Sequence, residues 1–88
     1  MSHMRAKLRV GAVLPYQSEG EVIQERLVMH GVAKNGSYPA DGADEDNSFA
    51  KFTPSASLDI QIANPALIGK FEVGQTFYVD FTPVPEAA

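Results

Sequence analysis

The sequence predicts an all-β domain: a small antiparallel β-sandwich or barrel with one short helical turn and one long acidic loop. Four segments carry apolar residues at the two-residue period of a strand. Turn-forming residues separate these segments, and no segment sustains the period of a helix. A chain of 88 residues, 44% of them apolar, suits one folded domain, which we expect over residues 4–83.

The composition narrows the function classes. The chain has no cysteine, which excludes disulfides and thiolate metal sites and favours a cytoplasmic setting. No apolar run is long enough to cross a membrane, and the net charge of −4 disfavours non-specific attraction to DNA or anionic membranes. Residues 1–3 have the character of a cloning remnant before a native start at Met4, and residues 84–88 are expected to fray.

The first strand is predicted over residues 5–14, where apolar and basic side chains alternate. One face carries Leu8, Val10, Ala12 and Leu14, and the other carries Arg5, Lys7 and Arg9. Pro15 cannot donate to a strand ladder, so we expect the strand to end there and the polar residues 16–20 to form a hairpin connection.

The periodicity of residues 21–33 fits either a strand or a helix. A strand is favoured because the segment is rich in β-branched residues, because Gly31 interrupts it, and because no capping residue precedes it. The second strand is therefore predicted here.

Residues 34–47 are predicted to form the one long loop, because Gly, Pro, Asn and Asp dominate and large apolar residues are scarce. The acidic residues of this loop are Asp41, Asp44, Glu45 and Asp46. Such carboxylates can bind a hard cation, but their spacing does not match a helix-loop-helix calcium site, which favours a solvated loop. The alternative left open is an acidic run that imitates phosphates and binds a basic surface of a host protein.

Alternation is clearest in residues 55–62, the predicted third strand, and returns in residues 76–81, the fourth. Between them, Asn64, Pro65 and Gly69 have the spacing of a cap, a first helical residue and a terminator, which predicts a single helical turn. The predicted core consists of Leu8, Val10, Ala12, Ile23, Leu27, Met29, Leu58, Ile60, Ile62, Leu67, Phe71, Phe77, Val79 and Phe81.

A second candidate binding surface is the basic row, which consists of Arg5, Lys7 and Arg9. Together with Tyr78 on the polar side of the last strand, the row could contact a single-stranded nucleic acid by charge and stacking. The alternative is that Asp59 or Asp80 neutralises the row, if either strand pairs beside the first. Exposed strand charges commonly find such partners, so neutralisation is favoured.

No arrangement typical of an enzyme is present. His30 has no cysteine and no identifiable serine and aspartate partners, so neither a zinc site nor a nucleophilic triad is indicated. Gly69 and Gly74 punctuate turns and do not form a phosphate-binding loop. The sequence therefore predicts a protein that is not an enzyme and that has no metal or other cofactor.

The second half of the chain resembles a group of short uncharacterised proteins encoded by tailed phages and prophages. The likeness is carried by residues 52–58, by Asn64 and Pro65, and by residues 71–83, which contain the pattern F-x-x-G-x-x-x-Y-V-D-F-T-P. The acidic residues 44–47, followed by an aromatic, are similar to the same group. The resemblance implies an accessory or structural role in a bacterial host cell, and it identifies no catalytic residue.

The leading hypothesis is a non-enzymatic phage or prophage accessory protein, a binding module that contacts a host or phage protein through its sheet surface or acidic loop. One alternative is a small barrel that binds single-stranded nucleic acid, a partner that the acidity of the chain disfavours. Another is a virion component that assembles through strand edges, which includes a homo-oligomer. No membrane partner is expected.

Overall fold

The computed structural model describes residues 4–85, which contain one open sheet of four antiparallel strands. The strands are β1 (Met4–Ser18), β2 (Glu21–Gly31), β3 (Ser57–Ile62) and β4 (Thr76–Phe81), in the order β3-β2-β1-β4. The all-β prediction is confirmed, but the described residues form neither a second sheet nor a closed barrel. The expected cloning remnant at residues 1–3 and the end of the expected frayed tail, residues 86–88, lie outside the described residues.

The segment that fitted either a strand or a helix is β2, a central strand. It pairs with β1 on one side and with β3 on the other. Two neighbours satisfy the backbone of β2 on both edges, which explains why a strand forms here despite the mixed periodicity.

β1 continues through Pro15, so the predicted strand end at this proline is wrong. β4 pairs only with residues 4–9 of β1. The later residues of β1 therefore have no neighbouring strand on the edge that faces away from β2. A proline in that stretch removes no ladder bond from the open edge. The hairpin closes at Glu19 and Gly20, whose φ angles of 51° and 83° are those of the tight turn that matches the strand twist.

The inner face of the sheet, which we define as the face that holds Leu8 and Val10, carries the core. The buried hydrophobic residues are Ala6, Leu8, Val10, Leu27, Met29 and Ile62. The partly buried residues packed against them are Val13, Ala56, Leu58, Ile68, Phe71, Phe77 and Val79. The opposite, outer face carries the basic row, as the alternation predicts.

A β-bulge at Gly11 divides β1 into two halves. Val10 lies opposite Met29 and Ala12 lies opposite Val28, so Gly11 has no partner of its own. Because strand side chains alternate, one extra residue exchanges the two faces for the rest of the strand.

The bulge overturns the predicted orientation of Ala12 and Leu14, which lie on the outer face and not in the core. Val13 takes the inner position and packs against the core. A Cβ atom on Gly11 would lie 3.1 Å from Nδ1 of His30, an exposed side chain that would have to move by a few tenths of an ångström.

Four other residues predicted in the core are about half exposed. They are Ile23 (45%), Ile60 (47%), Leu67 (46%) and Phe81 (48%). Ile23 is skipped by a second irregularity in the pairing of β1 with β2, whereas Ile60 and Phe81 lie on the two edge strands. Edge strands have a neighbour on one side only, so their side chains are less well covered.

The connection between β3 and β4, residues 63–75, covers part of the inner face. Ile68 and Phe71 pack against the core, and the backbone N–H of Gly69 donates to the buried carboxylate of Glu25 at 3.0 Å. This carboxylate thereby ties the connection to the centre of the sheet.

The predicted helical turn within this connection is replaced by two successive hydrogen-bonded turns. Asn64 accepts from the backbone N–H groups of Ala66 and Leu67, at 3.0 and 2.9 Å, and Leu67 accepts from Lys70. The cap predicted at Asn64 is therefore present, but so short a segment does not offset the cost of helix nucleation. Residues 4–85 contain no regular helix, and so none that could span a membrane.

The connection between β2 and β3 extends the sheet beside the first residues of β1. Val32 N donates to Lys7 O at 2.8 Å, and Ser48 N donates to Arg5 O at 3.0 Å. The loop thus occupies the position that β2 leaves free at its end and brings the acidic residues next to the basic row.

Candidate binding surfaces

Arg5, the first member of the basic row, is neutralised by the neighbouring strand. Its Nε lies 2.6 Å from Oδ1 of Asp80, directly across the β1–β4 ladder, and its guanidinium lies 4.5 Å from the centre of the Tyr78 ring. The hydrogen bond with Asp80 raises the pKa of Arg5 further above its usual value. The predicted pairing with Asp80 is confirmed, and the ion pair is solvent-exposed, so it contributes little to stability.

Lys7, the second member, is paired with the acidic loop. Its Nζ lies 3.4 Å from Oδ2 of Asp46, and the hydroxyl of Tyr78 donates to Oδ1 of the same carboxylate at 3.0 Å. That hydrogen bond, more than any other cause, raises the pKa of Tyr78. The acidic loop and the basic row, which the sequence presents as two separate candidate surfaces, are therefore parts of one surface. On this surface the acidic and basic groups neutralise each other.

Arg9, the third member, is exposed. Its Nε donates to Oγ1 of Thr76 at 3.1 Å, and no carboxylate in the described part of the chain pairs with it. Arg9 is thus the member of the row that remains available to an external anion.

Asp44 is the anchor of the acidic loop and is buried, with 4% of its surface exposed. Although burial raises the pKa of its carboxyl group, hydrogen bonds from the Asn47 side chain and from the backbone N–H groups of Lys34, Asp46 and Asn47 outweigh this and lower the pKa overall. These four bonds measure between 2.9 and 3.2 Å. The loop at Asp44 is therefore internally bonded and not solvated.

Sequence reasoning missed Asn47, which is fully buried at 0% exposure. Its Oδ1 accepts from Lys7 N at 2.8 Å, and its Nδ2 donates to Val32 O at 2.8 Å and to Asp44 Oδ2 at 3.1 Å. A single amide thus joins β1, the end of β2 and the loop. No local pattern in the sequence signals this role, because two of the groups that Asn47 bonds, Lys7 N and Val32 O, belong to distant segments.

The remaining acidic candidates also have partners within the loop. Glu45 Oε2 lies 3.2 Å from Lys34 Nζ, and Asp41 Oδ1 accepts from Ala43 N at 3.1 Å. No group of three or more His, Asp or Glu side chains in residues 4–85 is arranged to hold a metal ion. The arrangement therefore stabilises the loop and offers no assembled cation site in the described chain.

Asp59, the other predicted partner of the basic row, lies on a strand that is not beside β1. β3 pairs with β2, and Asp59 Oδ1 accepts from Arg26 Nε at 2.9 Å. This hydrogen bond lowers the pKa of Asp59. Gln24 and Gln61 form a side-chain hydrogen bond next to this pair, so the outer face over β2 and β3 is also internally paired.

The loop closes at a second point, around Gly42. Phe52 N donates to Gly42 O at 2.7 Å, and the Phe52 ring lies against Gly42 and, edge to face, against Tyr38 with 5.7 Å between ring centres. Gly42 has a φ of 75°, and a Cβ atom there would lie 2.5 Å from the ring. Only glycine fits this contact.

Two of the places where apolar side chains are exposed are candidate binding surfaces. The first, which we call the end groove, measures about 210 Å³ and is lined by Met4, Ala6, Phe49, Ser55, Ala56 and Phe81. The second, which we call the arm stripe, lies on the outer face and consists of Ala12, Leu14, Tyr16 and Val28. Sequence reasoning missed both as surfaces, because it assigned Phe81 and Ala12 to the core.

No known protein family, curated protein or solved structure matches the chain.

Proposed function

We propose that the chain is a non-enzymatic binding module of a tailed phage or prophage, which acts in the cytoplasm of the bacterial host by contacting another protein through the end groove. The observation that carries the proposal is the exposure of three large apolar side chains around one groove: Met4 (46%), Phe49 (39%) and Phe81 (48%). Exposed apolar groups gathered at one place are typical of protein interaction sites.

The size and lining of the groove favour a protein partner over a small molecule. Its volume of about 210 Å³ lies below the roughly 300–1,000 Å³ of typical small-molecule pockets. An opening of this size suits one anchor side chain of a partner, held among aromatic and methionine contacts. The resemblance of residues 52–58 and 71–83 to phage-encoded proteins supports the biological setting.

The state of the basic row disfavours the nucleic-acid alternative. Arg5 and Lys7 are each within 4 Å of a carboxylate, and the chain carries a net charge of −4. Binding to nucleic acid relies on cations that are free to replace the counterions of the phosphates. Two of the three basic groups would first have to leave Asp80 and Asp46.

Assembly through strand edges is a second candidate. β3 and β4 are the two edges of the sheet, and each offers six residues of strand. Prolines stand near the ends of both edge strands, Pro54 and Pro65 around β3 and Pro83 after β4, which limits how far a paired strand could extend along either edge.

The proposal is tested by using the protein as bait in a lysate of the bacterium that carries the gene. Wild type is compared with Phe81→Asp, which places a charge in the groove, and with Val84→Asp, a matched control at a residue that is 79% exposed and does not line the groove. We expect the same protein to be retained by wild type and Val84→Asp and lost with Phe81→Asp.

Two results would overturn the proposal. One is a wild-type bait that retains nothing, or that retains the same proteins as Phe81→Asp does. The other is binding of a labelled single-stranded oligonucleotide at low salt that weakens in Arg9→Glu, which would move nucleic-acid binding into first place. Circular dichroism of each variant confirms that the fold is intact.

A further inference from the structure

The end of the β1–β2 hairpin, residues 12–26, projects beyond β4 as an arm. The Gly11 bulge turns Leu14 and Tyr16 onto its outer face, where they are 49% and 62% exposed. Toward the turn, the arm narrows to two strands, because β3 pairs with β2 only from Glu25 onward. An isolated two-stranded ribbon is marginally stable in water, and packing against a covering layer increases its stability.

Neither connection covers the arm stripe in the described chain. Residues 63–75 pack on the inner face, and the acidic loop contacts the outer face at Lys7 and Tyr78. The stripe therefore lies open on the face of the sheet that has no second layer.

The total surface of the molecule is large enough to supply an interface. The accessible surface is 6364 Å², whereas a compact monomer of 9.5 kDa exposes about 5,000 Å². The radius of gyration is 16.0 Å, against about 12 Å for a compact domain of this length. The excess over the whole molecule is on the order of 1,300 Å², as expected for an arm without a covering layer, and a standard interface takes roughly 800 Å² from each partner.

Charge complementarity indicates that the occupant of the stripe is a second copy of this chain. On the outer face Arg9 lacks a carboxylate partner, and the hairpin turn at the far end of the arm carries Glu19 and Glu21. No cation of the described residues pairs with either glutamate. Two copies stacked in opposite directions bring the hairpin turn of each over Arg9 of the other.

The spacing along β1 agrees with this arrangement. Leu14 lies five residues after Arg9 and five before Glu19, so the two charges stand roughly 15 Å to either side of it. A two-fold axis between the stacked faces can pass over Leu14. Such an axis places Arg9 of each copy near Glu19 of the other copy. The same axis places the small Ala12 under the ring of Tyr16, and it brings the two copies of Arg26, each opposite Leu14 and paired with Asp59 of its own chain, next to each other.

We infer that the arm stripe is a dimer interface, in which two copies stack outer face to outer face across a two-fold axis at Leu14, with Arg9 of each copy paired to Glu19 of the other. Strand pairing along the arm is the weaker alternative, because Pro15 interrupts the open edge of β1. The interface uses a different surface from the end groove, so it and the proposed function stand or fall separately.

Sedimentation equilibrium of the full chain over a micromolar concentration series tests the interface. We expect wild type to dimerise, Leu14→Glu to remain monomeric, and Leu67→Glu to dimerise like wild type. Leu67 is a matched control because it is 46% exposed and belongs to the connection after β3. A monomeric wild type, or a dimer that Leu14→Glu leaves intact, would overturn the inference.

A charge exchange tests the stated pairing. Arg9→Glu and Glu19→Arg each replace two attractive contacts of the dimer with two repulsive ones, so each should weaken dimerisation by about tenfold or more, and less at high salt. The double variant restores the complementarity and should dimerise within about threefold of wild type. Single variants that dimerise normally, or a double variant that is no better than the singles, would contradict the pairing.

Discussion

Asn47 holds the acidic loop against β1, and its replacement by alanine is expected to lower the free energy of unfolding by about 3 kcal/mol. The change leaves Lys7 N–H and Val32 C=O without their partner, and it removes the bond to Asp44 Oδ2. Each buried group left unsatisfied costs about 1–3 kcal/mol. A domain of 88 residues has a total stability of about 4–13 kcal/mol, so the variant should still fold.

Urea unfolding followed by circular dichroism measures this loss. Asn47→Asp is the matched variant: it keeps an acceptor for Lys7 N but sets a second carboxylate oxygen against Val32 O and Asp44 Oδ2, so it should destabilise at least as strongly at neutral pH. Asn35→Ala, at an exposed asparagine of the same loop, should change stability by less than about 0.5 kcal/mol. If Asn47→Ala lowered the free energy of unfolding no more than Asn35→Ala does, the buried amide would not be what holds the loop.

Three further predictions concern the loop and the core. The stability that Asp44 contributes should be present above about pH 4 and decline as the pH falls through its lowered folded-state pKa, because the unfolded chain takes up the proton first; acid titration of Asp44→Asn should show a smaller decline. Gly42→Ala should destabilise by more than about 1 kcal/mol, through its positive φ and the clash with Phe52, as measured by urea unfolding. Leu27→Ala should cost about 2–4 kcal/mol and the half-exposed Ile60→Ala less than about 1.5, and equal losses would contradict the assigned core.

The strands and one contact of the basic row could be predicted from the sequence, because both depend on local alternation. Residues 55–62 and 76–81 read clearly as strands, and they correspond to β3 and β4. Alternation also placed Arg5 and Asp80 on the polar sides of their strands, so their pairing required only that the strands be neighbours.

The strand order, the bulge and the role of Asn47 could not be predicted, because the alternation of side chains carries no information about them. The order of the strands decides that Asp59 meets Arg26 and not the basic row, and that order comes from packing between distant segments. The bulge at Gly11 is a one-residue irregularity that reverses the faces of every later residue of β1. The role of Asn47 depends on the backbone groups of two other segments, which no local pattern reveals.

The outward orientation of Leu14 is the feature on which the dimer interface depends most, and a pair of glutamate substitutions tests it directly. Urea unfolding is measured for Val13→Glu and Leu14→Glu at concentrations low enough for the wild type to be monomeric. Val13→Glu sets a carboxylate against the core and should cost more than about 2 kcal/mol, whereas Leu14→Glu should change stability by less than about 0.5 kcal/mol. The reverse result, with Leu14→Glu the more damaging variant, would mean that β1 has no bulge and that Leu14 lies in the core.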